Sequence, residues 1–284
     1  MSQVWFITGS AAGLGLSITE AALAAGHRVI ASARKPERLA KLVEAYGDRL
    51  LPVELDVTDS LAAQKAVAAG IAAFGNIDVL VNNAGYGHLV PFEQTGEQAF
   101  RLEVETNFFG VVNVTRAVLP FMRARRTGCI FQVSSVGGRT GTPGMSAYQS
   151  AKWAVGGFCE VLAKEIGPLG IRLCCLEPGG MSTGWAERAS RDIPPIMPDY
   201  QASVGQWQDF LKQYIGHENG DPAKVARVIL ALSCHPAPPV HLLLGSDALE
   251  YCAQAEQARQ QDAERWKEVS RYPDKANDIP LALP

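Results

Sequence analysis

The stretch SAYQSAKWA (146–154) sets a phenol, Tyr148, four residues before an ammonium, Lys152. At that spacing two side chains share one face of a helix, a turn apart. A tyrosine with its ordinary pKa of about 10 is a poor acid and a poorer base near neutrality. A neighbouring positive charge stabilises the phenolate. Lowering the pKa by about three units takes roughly 4 kcal/mol of differential stabilisation, within reach of close charges shielded from water. The same spacing also describes an ordinary exposed i,i+4 pair, so its meaning depends on what surrounds it.

A second chemical signal lies near the N-terminus, where TGSAAGLG (8–15) follows an apolar run and leads into a helical pattern. Gly9, Gly13 and Gly15, in a turn that also holds Ser10, Ala12 and Leu14, let the backbone approach a pyrophosphate closely. The helix start adds unpaired N–H groups and the positive end of a dipole. Glycine turns of this kind also serve plain strand-to-helix packing. The second strand ends in ASARKPERL, and no acidic residue stands between Glu20 and Glu37. A carboxylate there would bind the ribose 2′-hydroxyl of NAD; Arg34, with Lys35 or Arg38 beside it, suits the 2′-phosphate and so favours NADP over NAD. Cations at a helix start oppose the dipole, which asks for such a reason if they are more than solvated charges.

These residues need a scaffold, and the pattern supplies one. Short β-branched or aromatic runs alternate with alanine-rich helical segments through the first 245 residues, predicting an α/β fold: a doubly wound, Rossmann-type parallel sheet of seven strands with helices on both faces. The expected strands are Val4–Thr8, Arg28–Ala33, Leu50–Leu55, Ile77–Asn82, Cys129–Ser134, Arg172–Leu176 and Val240–Leu244, with helices near 13–25, 36–46, 59–73, 97–122, 147–167 and 222–233. Asp221-Pro222 reads as an N-cap followed by proline at the first helical position, and Gly26 and Gly75 read as helix stops. Ser146 and Gln149 have capping-box spacing before the apolar series Val155, Phe158, Leu162, Ile166, which puts Tyr148 in the first turn of its helix. No composition break divides residues 1–284, so a single dinucleotide-binding catalytic domain is expected. The irregular stretch at about 179–220, rich in Pro, Met and Trp, reads as a substrate lid, and about 246–272 as a charged C-terminal helix capping the body.

With 284 residues and 47% hydrophobic content the chain can bury a large core. A net charge of -3 with 26 scattered Lys and Arg residues gives no nucleic-acid footprint; Arg123, Arg125 and Arg126 read as a solvated helix end. The six cysteines lack metal-ligand spacing and read as reduced, mostly buried thiols, so no metal is expected. No leader pattern or long apolar stretch stands out, so a cytoplasmic protein without membrane contact is expected.

In order along the chain stand TGSAAGLG (8–15), LDVTD (55–59), NNAG (82–85), TNFFG (106–110), VSSVGG (133–138), YQSAK (148–152) and EPGG (177–180). Together they resemble the short-chain dehydrogenase/reductase family in its shorter, single-domain form with TGxxxGxG and YxxxK motifs, over nearly the whole chain to about residue 245. The resemblance implies that Asp56 and Val57 hold the adenine, that Asn83, Ala84 and Gly85 line the cofactor ribose, and that Pro178, Gly179 and Thr183 flank the nicotinamide. It implies a catalytic set of Ser135, Tyr148, Lys152 and Asn107, with Ser135 chosen over Ser134 by its distance of thirteen residues from the tyrosine. Tyr148 would be the acid in reduction and the base in oxidation, with its pKa lowered by Lys152, which also holds the ribose hydroxyls. Ser135 would hydrogen-bond the substrate oxygen, and Asn107 would anchor a water linking Lys152 to solvent.

The substrate groove should lie outside the carboxyl ends of the strands, under the lid. Met181 and Trp185 from the lid, with Ile196, Met197, Tyr200, Trp207 and Phe210 near them, face Tyr86, His88 and Met145 as the opposite wall. That lining suggests a hydrophobic ketone, aldehyde or secondary alcohol of steroid, retinoid or aryl-ketone kind; some of these residues would instead pack the lid on the body. His88 and Arg139 are the polar candidates for substrate contact. The reading is an NADP-dependent alcohol dehydrogenase or carbonyl reductase. Alternatives are a nucleotide-sugar epimerase, disfavoured by the glycine spacing and the lack of a second substrate domain, and a non-catalytic NADP-binding sensor, disfavoured by the intact catalytic set. The resemblance implies a homo-oligomer: in family members the helices near 97–122 and 147–167 pair into a dimer, while the missing VDGG-type ending of tetrameric relatives puts a tetramer in doubt.

Overall fold

Runs such as VWFIT and GCIFQV are apolar at nearly every position rather than at alternate ones, as a strand covered on both faces requires, and every residue of both is buried. The computed structural model describes residues 2–191, 193–275 and 281–284. Seven parallel strands, β1 (Val4–Thr8), β2 (Arg28–Ala33), β3 (Leu50–Glu54), β4 (Val79–Asn82), β5 (Gly128–Val133), β6 (Ile171–Pro178) and β7 (His241–Leu244), lie in the order β3-β2-β1-β4-β5-β6-β7. Between and after them come α1 (Gly13–Ala24), α2 (Ala40–Tyr46), α3 (Ser60–Phe74), α4 (Glu97–Val104), α5 (Gly110–Arg125), α6 (Ser146–Ile166), α7 (Trp185–Ala189), α8 (Gln206–Tyr214), α9 (Pro222–Cys234) and α10 (Ser246–Arg265).

Each sheet face has its own core. Phe6, Ile30, Leu80 and Ile130 meet Val67, Val114, Val155 and Leu162 of α3, α5 and α6 on one side. Trp5, Ile7, Val81 and Phe131 meet Ile18, Leu23 and Ile229 of α1 and α9 on the other. The chain runs outward from β1 to β3 and then returns to β4 on β1's other side. This reversal opens a crevice at the carboxyl ends of β1 and β4. Thr8 fastens the crevice floor: its hydroxyl accepts the N–H groups of Asn83 and Ala84, each at 2.9 Å.

Asp59 and Asp221 cap α3 and α9 through their carboxylates, the latter as expected before Pro222. Three local expectations need correction. The helix expected over 97–122 is broken by a π-helical turn at Glu105–Phe109, which carries Asn107. The segment 179–220 is not irregular: besides α7 and α8 it holds a 3-10 turn at Pro198–Tyr200 and a π-helical turn at Gln201–Gly205. On α8, Trp207, Phe210 and Tyr214 stack at helical spacing, with centroids 4.9 and 5.7 Å apart. The capping box at Ser146 and Gln149 does not form. Met145 is the N-cap, without a side-chain bond, while the Gln149 side chain reaches back to the Thr142 N–H and hydroxyl. Tyr148 still lies in the first turn of α6, whose start is held by that glutamine.

No helix among the described residues is long and apolar enough to cross a membrane. The described cysteines are free; all but Cys234 are buried.

Candidate active site

The Gly9–Gly15 turn bends at positive φ at Gly9 and Gly13, where side chains carry strain. A Cβ on Gly15 would overlap the Gly9 carbonyl oxygen and Asn83 Nδ2, so the helix start lies hard against the end of β4. Ala12 leaves the first turn of α1 without a side-chain cap. A helix start with bare N–H groups, reached across glycines, fits a dinucleotide pyrophosphate. Ser10 is different: its N–H donates to Ser32 O and its hydroxyl to Ile7 O, so it locks the turn and keeps no donor for a ligand.

Around this turn stand the other residues expected to bind cofactor. Arg34 and Lys35 are exposed just beyond β2. Asp56 is exposed and one of its oxygens accepts from Thr58, whereas Val57 is buried and packs where Gly110 leaves room. Asn83 Nδ2 donates to Thr8 O, and Gly85 faces Asn107 and Lys152. Pro178 ends β6; Thr183 stands against Gly13 across the crevice. Missing from the sequence reading is Asp247 of α10. It accepts the Gly180 N–H at 2.7 Å and fills the space where a Cβ on Gly179 would stand, so the C-terminal helix fixes the Pro178–Gly180 turn.

The strand ends also bring the catalytic candidates together. Ser135 is extended, accepts the Gly137 N–H at 3.0 Å and stands beside Tyr148, whose charged form it favours. Ser134 points elsewhere, donating to Lys152 O at 3.1 Å under α6. Lys152 Nζ is buried, donates to Val133 O at 2.8 Å and lies 5.6 Å from the Tyr148 ring centroid. Burial pushes Tyr148 up to about 12, partly opposed by the Ser135 hydroxyl, and pushes Lys152 down to about 8. The expected lowering of the phenol by the lysine is therefore not met in this arrangement: the ammonium is spent on a backbone carbonyl, and desolvation of the phenolate dominates. Asn107 Nδ2 donates to Tyr86 O and Glu103 O, each at 2.8 Å, while its Oδ1 is buried without a partner among the described residues.

On the substrate side, Trp185 of α7 lies tilted on Tyr148 with centroids 5.0 Å apart. Gly87 makes this possible, since a Cβ there would meet both rings. Met181 bridges to Gly220 at the base of the lid, and Met145 is buried beneath α6's start. Two wall residues turn out otherwise engaged. His88 Nδ1 sits 2.9 Å from the buried Glu103 carboxylate, and Tyr86 packs edge-on to His88. Arg139 also drops out as a substrate contact: it pairs with the buried Glu177 and with Glu256, tying α10 to the sheet. Glu177 takes the His241 Nδ1 as well, at 2.7 Å, and Cys175 joins them with ligand atoms all within 4.8 Å. No spacing in the sequence announces this set, because β6 and β7 bring it together; Arg139 already neutralises its carboxylate.

The lid is stitched to the segment after β4. Leu89 N–H donates to Ala189 O, Gln208 Nε2 to Leu89 O at 3.0 Å, Tyr200 hydroxyl to Glu93 at 2.7 Å and Gln94 Nε2 to Pro195 O at 2.9 Å.

A model of the family described as short chain dehydrogenase matches residues 3–194. The chain is 49% identical over 271 residues, 95% of its length and 98% of the relative's, to the oxidoreductase BOA17 of Botryotinia fuckeliana. Among solved structures it is similar to a short-chain dehydrogenase from Streptomyces avermitilis, with 37% identity, a TM-score of 0.89 and coverage of 96% of this chain and all of that one. It is also similar to a serine dehydrogenase complexed with NADP+, with 28% identity, a TM-score of 0.72 and coverage of 85% and 94%.

Proposed function

Because the chain belongs to the short-chain dehydrogenase family and is an oxidoreductase of alcohols or carbonyls using NAD(P), we propose that NADPH is its reductant and a hydrophobic ketone or aldehyde its substrate. One observation carries the reading: the Ser135 hydroxyl meets the Tyr148 phenol at the strand ends, with Lys152 one turn below and Trp185 over the ring.

The Gly9–Gly15 turn and the α1 start hold the pyrophosphate, Arg34 and Lys35 the 2′-phosphate, and the Asn83–Gly85 and Pro178–Thr183 segments the nicotinamide end. The bound cofactor supplies a hydride. Ser135 donates a hydrogen bond to the substrate oxygen as charge builds on it, and Tyr148 transfers its proton to that oxygen. A phenol pushed up to about 12 is fully protonated at neutral pH, which suits the reductive direction. Lys152 stabilises the resulting phenolate once its Nζ turns from Val133 O toward the hydroxyl. Trp185 covers the reacting face and supplies an apolar wall, which supports a substrate with a hydrophobic body. The exposed Arg34 and the lack of a carboxylate at the end of β2 support NADP, as does the NADP+ complex of the serine dehydrogenase relative.

Loss of NADPH absorbance with a panel of ketones and aldehydes, for wild type and Tyr148→Phe, tests the reading. Wild type should turn over apolar carbonyls, and the variant should lose about 10²–10⁴-fold in kcat. Full activity in Tyr148→Phe would remove the mechanism, and turnover of small charged keto acids alone would remove the substrate class.

A further inference from the structure

Glu103, near the end of α4, is the most enclosed acid beside the catalytic groups: its side chain is 3% exposed, and it is the one buried residue of that helix. A buried carboxylate costs several kcal/mol unless it is paired, so its presence needs a reason. The two oxygens differ. Oε2 lies 2.9 Å from His88 Nδ1, and the His88 side chain is 44% exposed; Oε1 is buried without a partner among the described residues. One turn on, Asn107 Oδ1 is likewise buried and unpartnered, while its Nδ2 is tied to the Glu103 carbonyl. That Oδ1 is 2.5 Å, and Lys152 Nζ 3.6 Å, from the point where a Cβ would stand on Gly85. Two orphaned oxygens between a surface imidazole and a buried ammonium are what bridging water satisfies.

We propose that His88 and Glu103 form the solvent end of a proton path to Lys152 and Tyr148, with the Glu103 carboxyl as the carrier between imidazole and interior water. The proposal rests on the reductase reading. Each reduction takes one hydride from the cofactor and one proton from solvent: the Tyr148 O–H bond breaks, the substrate O–H bond forms, and the phenolate must be reprotonated. His88 takes a proton at Nε2 as the one on Nδ1 passes to Oε2, which leaves the Nε2–H tautomer; the neutral carboxyl then rotates and gives that proton to water beside Asn107 and Lys152, from which one passes to the phenolate. Glu103 ends as the carboxylate, and His88 regains its Nδ1 proton by exchange with solvent at its exposed side. The groups facing Glu103 are His88 and Tyr86 from the segment after β4, Asn107 from the π-helical turn, and Tyr148 from α6. Its charge raises the pKa of both Tyr86 and Tyr148, behind the larger effect of burial, so carboxyl and phenols share one field.

Glu103→Gln keeps the shape and an acceptor for His88 but cannot carry a proton; His88→Ala opens a hole that imidazole fits. Each should lower kcat about a hundredfold with KM unchanged and an enlarged solvent deuterium isotope effect, and added imidazole should restore His88→Ala. In the protein alone, nitrogen NMR should show His88 protonated at Nδ1, with a shift in Glu103→Gln. Wild-type kcat and isotope effect in both variants, failure of imidazole to rescue, or a His88 Nδ1 without its proton would each overturn the relay. Should Glu103→Gln fail to fold, the rescue of His88→Ala and the wild-type spectrum decide. These failures leave carbonyl reduction intact, whereas a wild type inactive on every carbonyl overturns the reductase reading itself.

Discussion

At the Gly9–Gly15 turn the groups that would meet a ligand are backbone N–H groups, and the side chains that matter are those left out. Across the crevice, at the lid, Trp185, Tyr214 and Tyr200 do the joining, each against a residue distant in sequence. The first region is held by close backbone packing and tolerates almost nothing. The second is held by aromatic tips and single hydrogen bonds, and can be reshaped without loss of the fold. On the proposed function, cofactor binding and substrate choice therefore lie on parts of the molecule with unequal tolerance for change.

Gly15→Ala is the most severe way to break that contrast. The added carbon would overlap the Gly9 carbonyl and Asn83 Nδ2, neither of which can swing away, because Asn83 is bonded to Thr8 and Gly9 is fixed at positive φ. We expect dinucleotide affinity to fall by more than about a hundredfold, with about 1–3 kcal/mol of stability lost to overpacking. Titration calorimetry and a thermal melt would read both; an alanine variant that binds like wild type would mean that the turn is far more yielding than its packing indicates.

Arg34→Ala sharpens the comparison within the proposed cofactor half, where a side chain rather than backbone would set the choice. Loss of a charge-assisted hydrogen bond is worth about 1.5–3 kcal/mol, so NADPH should bind roughly ten- to a hundredfold more weakly while NADH is unaffected. Equal losses for both nucleotides would remove Arg34 from the 2′-phosphate. Trp185→Ala moves to the lid. Its ring covers Tyr148, so KM for an apolar ketone should rise about tenfold while cofactor affinity holds. A fall in kcat alone would instead make the tryptophan an orienter of the phenol.

This contrast also explains what the sequence disclosed. The strand positions, the glycine turn and the Tyr148–Lys152 pair are local signals, readable because one short segment carries each. The groups the sequence left unseen are assembled from afar: Asp247 reaches Gly180 from α10, Glu103 meets His88 from another element, and Arg139 joins Glu177 to Glu256. Gln149 sat at the right spacing for a capping box, but its side chain found Thr142, seven residues back, and local propensity yielded to a tertiary partner. The π-helical turn at Asn107 left no mark either, since an apolar period is hardly altered by one extra residue in a turn.

Gly180→Ala gives the finest test, because its added carbon overlaps the Tyr214 hydroxyl as deeply as one on Gly15 overlaps the Gly9 carbonyl. Here the obstacle is the far end of a side chain with two free torsions, on a helix with no buried residues. Tyr214 can rotate out and take the last turn of α8 with it, at a cost of about 1 kcal/mol. The expected outcome is a KM raised a few-fold, unchanged NADPH affinity and a melting temperature lowered by a few degrees, about 2–4 °C for a domain of this size. If Gly180→Ala instead matched Gly15→Ala in abolishing cofactor binding, the Pro178–Gly180 turn would belong with the rigid half, held by Asp247 rather than by the lid. Equal overlaps would then have equal costs, and the division between a backbone-built and a side-chain-built wall would fail at that turn.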